Sequence, residues 1–232
     1  MLLVTKSNVK KYLKNDVTAK QLSIISTPDD ENLTCQKWLK QSEAKRFVFH
    51  NIYGDILKKS GLRILDIGGG LTSFTRQLAS LHDYVLVDML AHDDEKIANK
   101  FNQEAKKDFI HICDWYDFEN DKPFDIIIAN DLFPNVDQRL EVFLDRYLAK
   151  TKEIRLSLTY YNEPRFYKTK RIGADEYLCM LAWNAKMLSN SLQNYKNHII
   201  DENIGLLKEN NDSVYANNRQ VCIIKMKAQH DQ

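Results

Sequence analysis

The sequence predicts an α/β fold: a doubly wound, mostly parallel seven-stranded sheet with one antiparallel strand near its edge and a helical cap at the N-terminal side. Three observations lead there. Short apolar runs alternate with helical stretches from residue 62 onward, the order expected of parallel strands joined by right-handed crossovers. The run Asp125-Ile126-Ile127-Ile128-Ala129 is β-branched and almost wholly apolar, as in a strand covered on both faces. Between the first apolar run and the helix after it stand Gly68, Gly69 and Gly70, three of the seven glycines of the chain.

Residues 1–60 are assigned to the cap and 61–232 to the main domain. Residues 1–30 are polar and lysine-rich, and their structure is left open. Thr27-Pro28-Asp29-Asp30 places proline and acids where a helix begins. One helix is predicted over 34–59, with Trp38, Leu39, Phe47, Val48, Ile52, Ile56 and Leu57 on its apolar face and Gly61 at its end. The first strand follows, with Leu62, Ile64, Leu65 and Ile67, and a helix opens after the glycines with Thr72 or Ser73 as its cap. Further strands are predicted at 84–87, 109–113, 124–129 and 153–158, with helices at 93–107 and around Leu140, Val142, Phe143 and Leu148. An aromatic and basic loop is expected over 159–171 and a helix over 174–195. A strand near 204–207, a turn at Asn210-Asn211-Asp212 and a strand at 221–226 complete the set.

Bulk properties exclude several classes. The 232 residues carry a formal charge of +1, and the pI is about 7.6. No global field is available for nucleic acid or an anionic membrane. Lys168-Thr169-Lys170-Arg171, the longest basic cluster, reads as a solvated loop. Cys35, Cys113, Cys179 and Cys222 lack metal-type spacing and read as reduced thiols of a cytoplasmic protein. Leu2-Leu3-Val4 is too short for a signal peptide, and no apolar run approaches the ~20 residues of a membrane span.

In an open α/β sheet the ligand lies beyond the carboxyl ends of the strands. Here the first strand ends at the glycine turn, the second at Asp88, the third at Asp114 and the fourth at Asn130-Asp131. One such acid is commonly a turn former; an ordered series points to a ligand. Asp88, twenty positions after Gly68, suits a carboxylate on a ribose diol, a spacing also found in NAD-binding folds. Asp66, just before the glycines, would repel a pyrophosphate and attract a cationic amino group. Ser73 also stands where a GxGxxG fingerprint has glycine or alanine. Asp114 adds an acceptor for an adenine amine, and Met89 could cover one face of the ring.

With these residues the chain resembles the class I S-adenosylmethionine-dependent methyltransferases over residues 62–226, although Thr72 replaces a glycine frequent in that family. The resemblance implies a Rossmann-like methyltransferase fold and S-adenosyl-L-methionine as cofactor. Gly68, Gly69 and Gly70 would pack against its methionine part, and Asp66 would hold its amino group. Asp88 would take the ribose, Asp114 with the Trp115 backbone N–H the adenine edge, and Asn130 would close the set. Arg46 on the cap helix is a candidate partner for the methionine carboxylate. An NAD-binding oxidoreductase and an inactive methyltransferase-like binding module stand as alternatives.

A methyl acceptor must be oriented and, if a hydroxyl, relieved of a proton. Asp131 is the first candidate base and His50 the second. Tyr160, Tyr161 and Arg165, after the fifth strand, are candidate substrate contacts. Asn130-Asp131-Leu132-Phe133-Pro134 departs from the Asn-Pro-Pro-Tyr type of sequence associated with DNA or glutamine-amide substrates. The neutral charge argues against long nucleic acids. The expectation is O-methylation of a small, polar, sugar-like acceptor, with N-methylation of a small amine as the rival and no metal.

Overall fold

The computed structural model describes residues 1–170, 177–200, 204–207 and 213–228. Its centre is a sheet of short parallel strands: β2 (Arg63–Ile67), β3 (Asp83–Val87), β4 (Ile110–His111), β5 (Phe124–Asn130) and β6 (Thr151–Tyr160). β9 (Gln220–Lys227) pairs antiparallel with β6, and β1 (Leu2–Leu3) pairs antiparallel with β9. The order β1-β9-β6-β5-β2-β3-β4 makes a seven-stranded sheet with one antiparallel member. The sequence reverses direction at β2, between β3 and β5, which is where such sheets open a crevice.

Period-two alternation sorts the strand residues between two cores. Ile64, Tyr84, Leu86, Ile126 and Ile128 belong to the face covered by α1 (Lys6–Leu13), α2 (Val17–Ile25), α4 (Glu43–Tyr53), α5 (Ser73–Leu81) and α6 (Glu95–Ala105). Leu65, Ile67, Val87, Ile127, Ala129, Leu156 and Ile224 belong to the other, covered by α7 (Leu140–Tyr147) and α8 (Ala185–Gln193). The cap thus packs on the sheet. None of the helices among the described residues is long and apolar enough to cross a membrane.

Four expectations change. The helix predicted over 34–59 is two helices, α3 (Thr34–Gln41) and α4, followed by a 3-10 turn at Ile56–Lys58. Ser42 divides them because its hydroxyl accepts the Lys45 N–H and starts a new helix. The segment at Ile204–Leu206 is a 3-10 turn, and the outer sheet position goes to β1. The aromatic loop contains β7 (Arg165–Lys170), paired with β8 (Tyr177–Ala182) in a separate two-stranded sheet. Of the helix expected over 174–195, residues 174–176 lie outside the described residues, Tyr177–Ala182 form β8, and the helix runs from Ala185, where Asn184 caps it by accepting the Met187 N–H. The predicted turn at Asn210-Asn211-Asp212 lies outside the described residues, as does Arg171.

Arg155 fastens the cap to the sheet. Its side chain is 3% exposed, donates to the Ile52 carbonyl at 2.5 Å, and pairs with Asp55 at 2.5 Å and Glu153 at 2.6 Å. Burial pushes the Asp55 carboxyl up, but the hydrogen bond and charge of Arg155 outweigh it and hold it below its ordinary value. A depressed acid stabilises the fold above its unfolded pKa and loses that contribution as pH falls through the folded value. Arg155→Met should cost roughly 2–4 kcal/mol, less than a fully buried pair because Asp55 can still hydrate. Urea unfolding at pH 7 and pH 3 checks this: the penalty should be smaller at pH 3.

Candidate functional site

The glycine turn is bent by three local demands. Gly68 and Gly70 have φ of +69° and +67°, which side chains with a Cβ rarely adopt. Gly69 lies over the Asp66 carboxylate, and a Cβ there would sit 2.7 Å from its atoms. Asp66 is buried and accepts hydrogen bonds from the hydroxyls of Tyr53, at 3.0 Å, and Tyr84, at 2.7 Å. Burial raises its carboxyl to about 7 despite those donors. The turn then meets β3: the Gly70 N–H donates to Asp88 Oδ2 at 3.0 Å, and the Leu90 N–H to Asp88 Oδ1 at 2.8 Å. Burial raises the Asp88 carboxyl, with those two amides opposing.

The N-terminus of α5 is filled by the protein's own groups. Thr72 caps it, its N–H donating to Thr75 Oγ1 at 3.0 Å. The Ser73 N–H donates to the buried side-chain oxygen of Gln36 at 2.8 Å, and the Ser73 hydroxyl reaches Asp30 at 2.8 Å. Gln36 lies in α3, so the cap supplies the acceptors that a phosphate would otherwise supply.

A cavity of about 920 Å³ opens over the carboxyl ends of the strands. Gly68, Gly69, Gly70, Asp88, Met89, Asp114, Trp115, Asn130, Asp131 and Tyr161 line it; Met89 is 58% exposed. Asp114 pairs with Arg139 at 2.8 Å, and Trp115 donates its indole N–H to Asp137 at 2.7 Å. Asn130 accepts from the Ser157 hydroxyl, which accepts the Asp131 N–H, both at 2.7 Å. That bond helps hold Asp131 at a φ of +60°. Its carboxylate meets Lys45 Nζ at 2.9 Å, Arg219 Nη1 at 3.0 Å and Asn135 Nδ2 at 3.0 Å. Burial pushes this carboxyl up, but Arg219 and Lys45 together hold it at about 2.

Other candidates lie elsewhere, for clear physical reasons. Arg46 is buried among the N-terminal helices, bonded to Asp16 at 3.0 Å and to the Leu39 and Lys40 carbonyls; it is spent holding the N-terminus of α2 and the end of α3 to α4. Its neighbour Lys45 faces the cavity instead, one position round the helix. His50 is outside the cavity wall and stacks near Tyr12, with ring centroids 5.2 Å apart; burial first, and Lys58 second, lower its pKa. Tyr160 is buried in the second core, because on a strand neighbouring residues face opposite ways. Arg165 is exposed at the hairpin start and packs over the Tyr161 ring at 5.1 Å. Asp66 sits beneath the turn rather than in the cavity wall.

Residues not anticipated include Tyr53, Lys45, Tyr215 and Arg219, together with Tyr167 and Thr169 of the β7–β8 hairpin. The alternation of Tyr167 and Thr169 along β7 was a usable signal. Arg219 had none, because only the pairing of β9 with β6 brings it to Asp131.

No protein-family model and no curated protein matches the sequence. Solved structures do match. The N-terminal domain of EvdMO1, crystallised in the presence of SAH and D-fucose, is 12% identical at a TM-score of 0.52, covering 78% of this chain and 80% of that chain. The same domain with SAH bound is 12% identical at 0.52, covering 94% and 97%. Thermoplasma acidophilum 1320 is 14% identical at 0.50, covering 92% and 98%. The chain accordingly shares the Rossmann-like α/β fold of these structures, one of them a domain with SAH bound.

Proposed function

We propose that the chain is an S-adenosylmethionine-dependent methyltransferase acting on an oxygen of a small, polar, hydroxyl-bearing acceptor. The observation that carries the choice of cofactor is the α5 N-terminus, whose amides at Thr72 and Ser73 already serve Thr75 and Gln36 while Gly70 serves Asp88. A dinucleotide pyrophosphate needs those donors free. A ligand with a cationic amino group and a ribose needs acceptors and negative charge: Asp88 and Asp114 line the cavity, and Asp66 lies buried beneath the turn under Gly69.

The residues present fit that cofactor. Asp88 retains acceptor capacity for a diol beyond the Gly70 and Leu90 amides, and Gly69 lets the backbone lie against the Asp66 carboxylate. When bound, S-adenosylmethionine supplies an electrophilic methyl group, so the protein is left with orientation, water exclusion and proton removal. The inner side of the β7–β8 hairpin, with Tyr167 and Thr169, contributes to the cavity wall and supports a small rather than polymeric acceptor. The EvdMO1 domain was crystallised with D-fucose, a compound of that class.

Asp131 is assigned the acceptor hydroxyl. Held ionised by Lys45 and Arg219, it orients the O–H by accepting its hydrogen bond. A carboxyl of about 2 is too weak a base to deprotonate an alcohol beforehand. It is a sufficient base for the strongly acidic protonated oxygen that forms as the methyl group arrives.

Calorimetry with S-adenosylhomocysteine and NADH tests the cofactor: the former should bind and NADH should not, and tight binding of NADH alone would sink the proposal. Asp88→Ala should weaken S-adenosylhomocysteine by roughly 1–3 kcal/mol through lost hydrogen bonds. Because the Asp66 carboxyl stands at about 7, the arrival of a cationic amino group should lower it and release a fraction of a proton at pH 7. Binding enthalpies in buffers of different ionisation heat should reveal that proton, and Asp66→Asn should abolish it. Asp131→Asn should cut turnover roughly 10²–10⁴-fold with S-adenosylhomocysteine affinity retained; undiminished turnover would dismiss its role.

A further inference from the structure

The cations of the cavity wall fall in separate places. Arg139 is matched by Asp114 and Asp137, and Lys170 comes from β7, whereas Lys45 of α4 and Arg219, just before β9, meet beside a single acid. Those two cations share one carboxylate, Asp131, at 2.9 and 3.0 Å. Lys45 Nζ lies 5.0 Å from the Trp38 ring centroid, and the Arg219 guanidinium 4.2 Å from that of Tyr215. The Arg219 side chain is only 11% exposed, and its Nε is buried with no hydrogen-bond partner.

Two cations against one carboxylate leave an excess positive charge, and of the two cations Arg219 is the one largely shielded from water, Lys45 being 29% exposed. Such a charge is costly unless an anion offsets it. A planar guanidinium presents five N–H donors, and Lys45 three, so both can take a second oxyanion while still holding Asp131. A neutral hydroxyl compound would need neither cation in excess.

We propose that this wall seats an oxyanion of the acceptor: the substrate is a small hydroxylated compound bearing a carboxylate or phosphate group, bound by Arg219 and Lys45. As an assignment of substrate this rests on the methyltransferase proposal; as a binding site it does not. Asp131 keeps the reacting hydroxyl beside the anion, so acceptors with the two groups on nearby carbons are preferred.

The test is calorimetric binding of glucose, glucuronate and glucose 6-phosphate to the wild-type protein, Arg219→Gln and Lys45→Gln, with and without S-adenosylhomocysteine. At least one anionic sugar should bind the wild type about tenfold or more tightly than glucose, the worth of one charge-assisted hydrogen-bond pair. That preference should collapse in both variants and shrink with added salt. Whichever anion binds better distinguishes carboxylate from phosphate. Equal binding of the three sugars, no binding of either anion, or a preference surviving both substitutions overturns the proposal. Should Arg219→Gln fail to fold, as judged by its thermal transition, Lys45→Gln and the salt dependence decide in the same sense. Anion preference without S-adenosylhomocysteine binding would leave the seat standing and remove the methyltransferase proposal; the opposite pattern would remove the seat alone.

Discussion

A carboxylate buried under a glycine is the constraint on which this structure turns. Asp66 comes from β2, and its two hydroxyl donors come from α4 and β3, so cap, first strand and second strand converge on one group. Gly69 can lie against that group only because it lacks a Cβ. The same closeness fixes the height of the turn above the sheet, and with it the Gly70 amide that Asp88 receives. Burying a carboxyl is costly, and its raised pKa expresses that cost. The expense is of the kind found at functional sites, where an unfavourable local choice persists because the surroundings over-determine it.

The cap contributes more than cover. Gln36 fills the α5 N-terminus, Tyr53 supports Asp66, Lys45 reaches Asp131, and Asp55 anchors Arg155. Each is a cap residue meeting a polar group of the sheet or of α5. The chemistry of the cavity is thus assembled across the join between the helices α3 and α4 and the sheet.

What was legible in the sequence followed local physics. Ile126, Ile127 and Ile128 read as a covered strand because β-branching and continuous apolarity need no tertiary context. Asp88, Asp114 and Asn130 could be assigned to one side because all strand ends of a parallel sheet point the same way. Arg46 and Lys45 show where that logic stops: on a helix, one residue is a rotation of about 100°, and only packing decides which cation faces the cavity. Tyr160 and Tyr161 show the same limit on a strand, where adjacency means opposite faces. The β7–β8 hairpin escaped because its residues, such as Lys168 and Tyr177, look like a solvated loop and a helix start when read singly.

The outermost strand is made of Leu2 and Leu3, paired with Ile223 and Cys222. Sheet closure therefore joins positions more than two hundred residues apart. Closing so long a loop costs conformational entropy that the pairing must recover. Without β1, β9 would present an open edge able to pair with another chain. The two leucines cover that border, and their small size belies the consequence of leaving it bare.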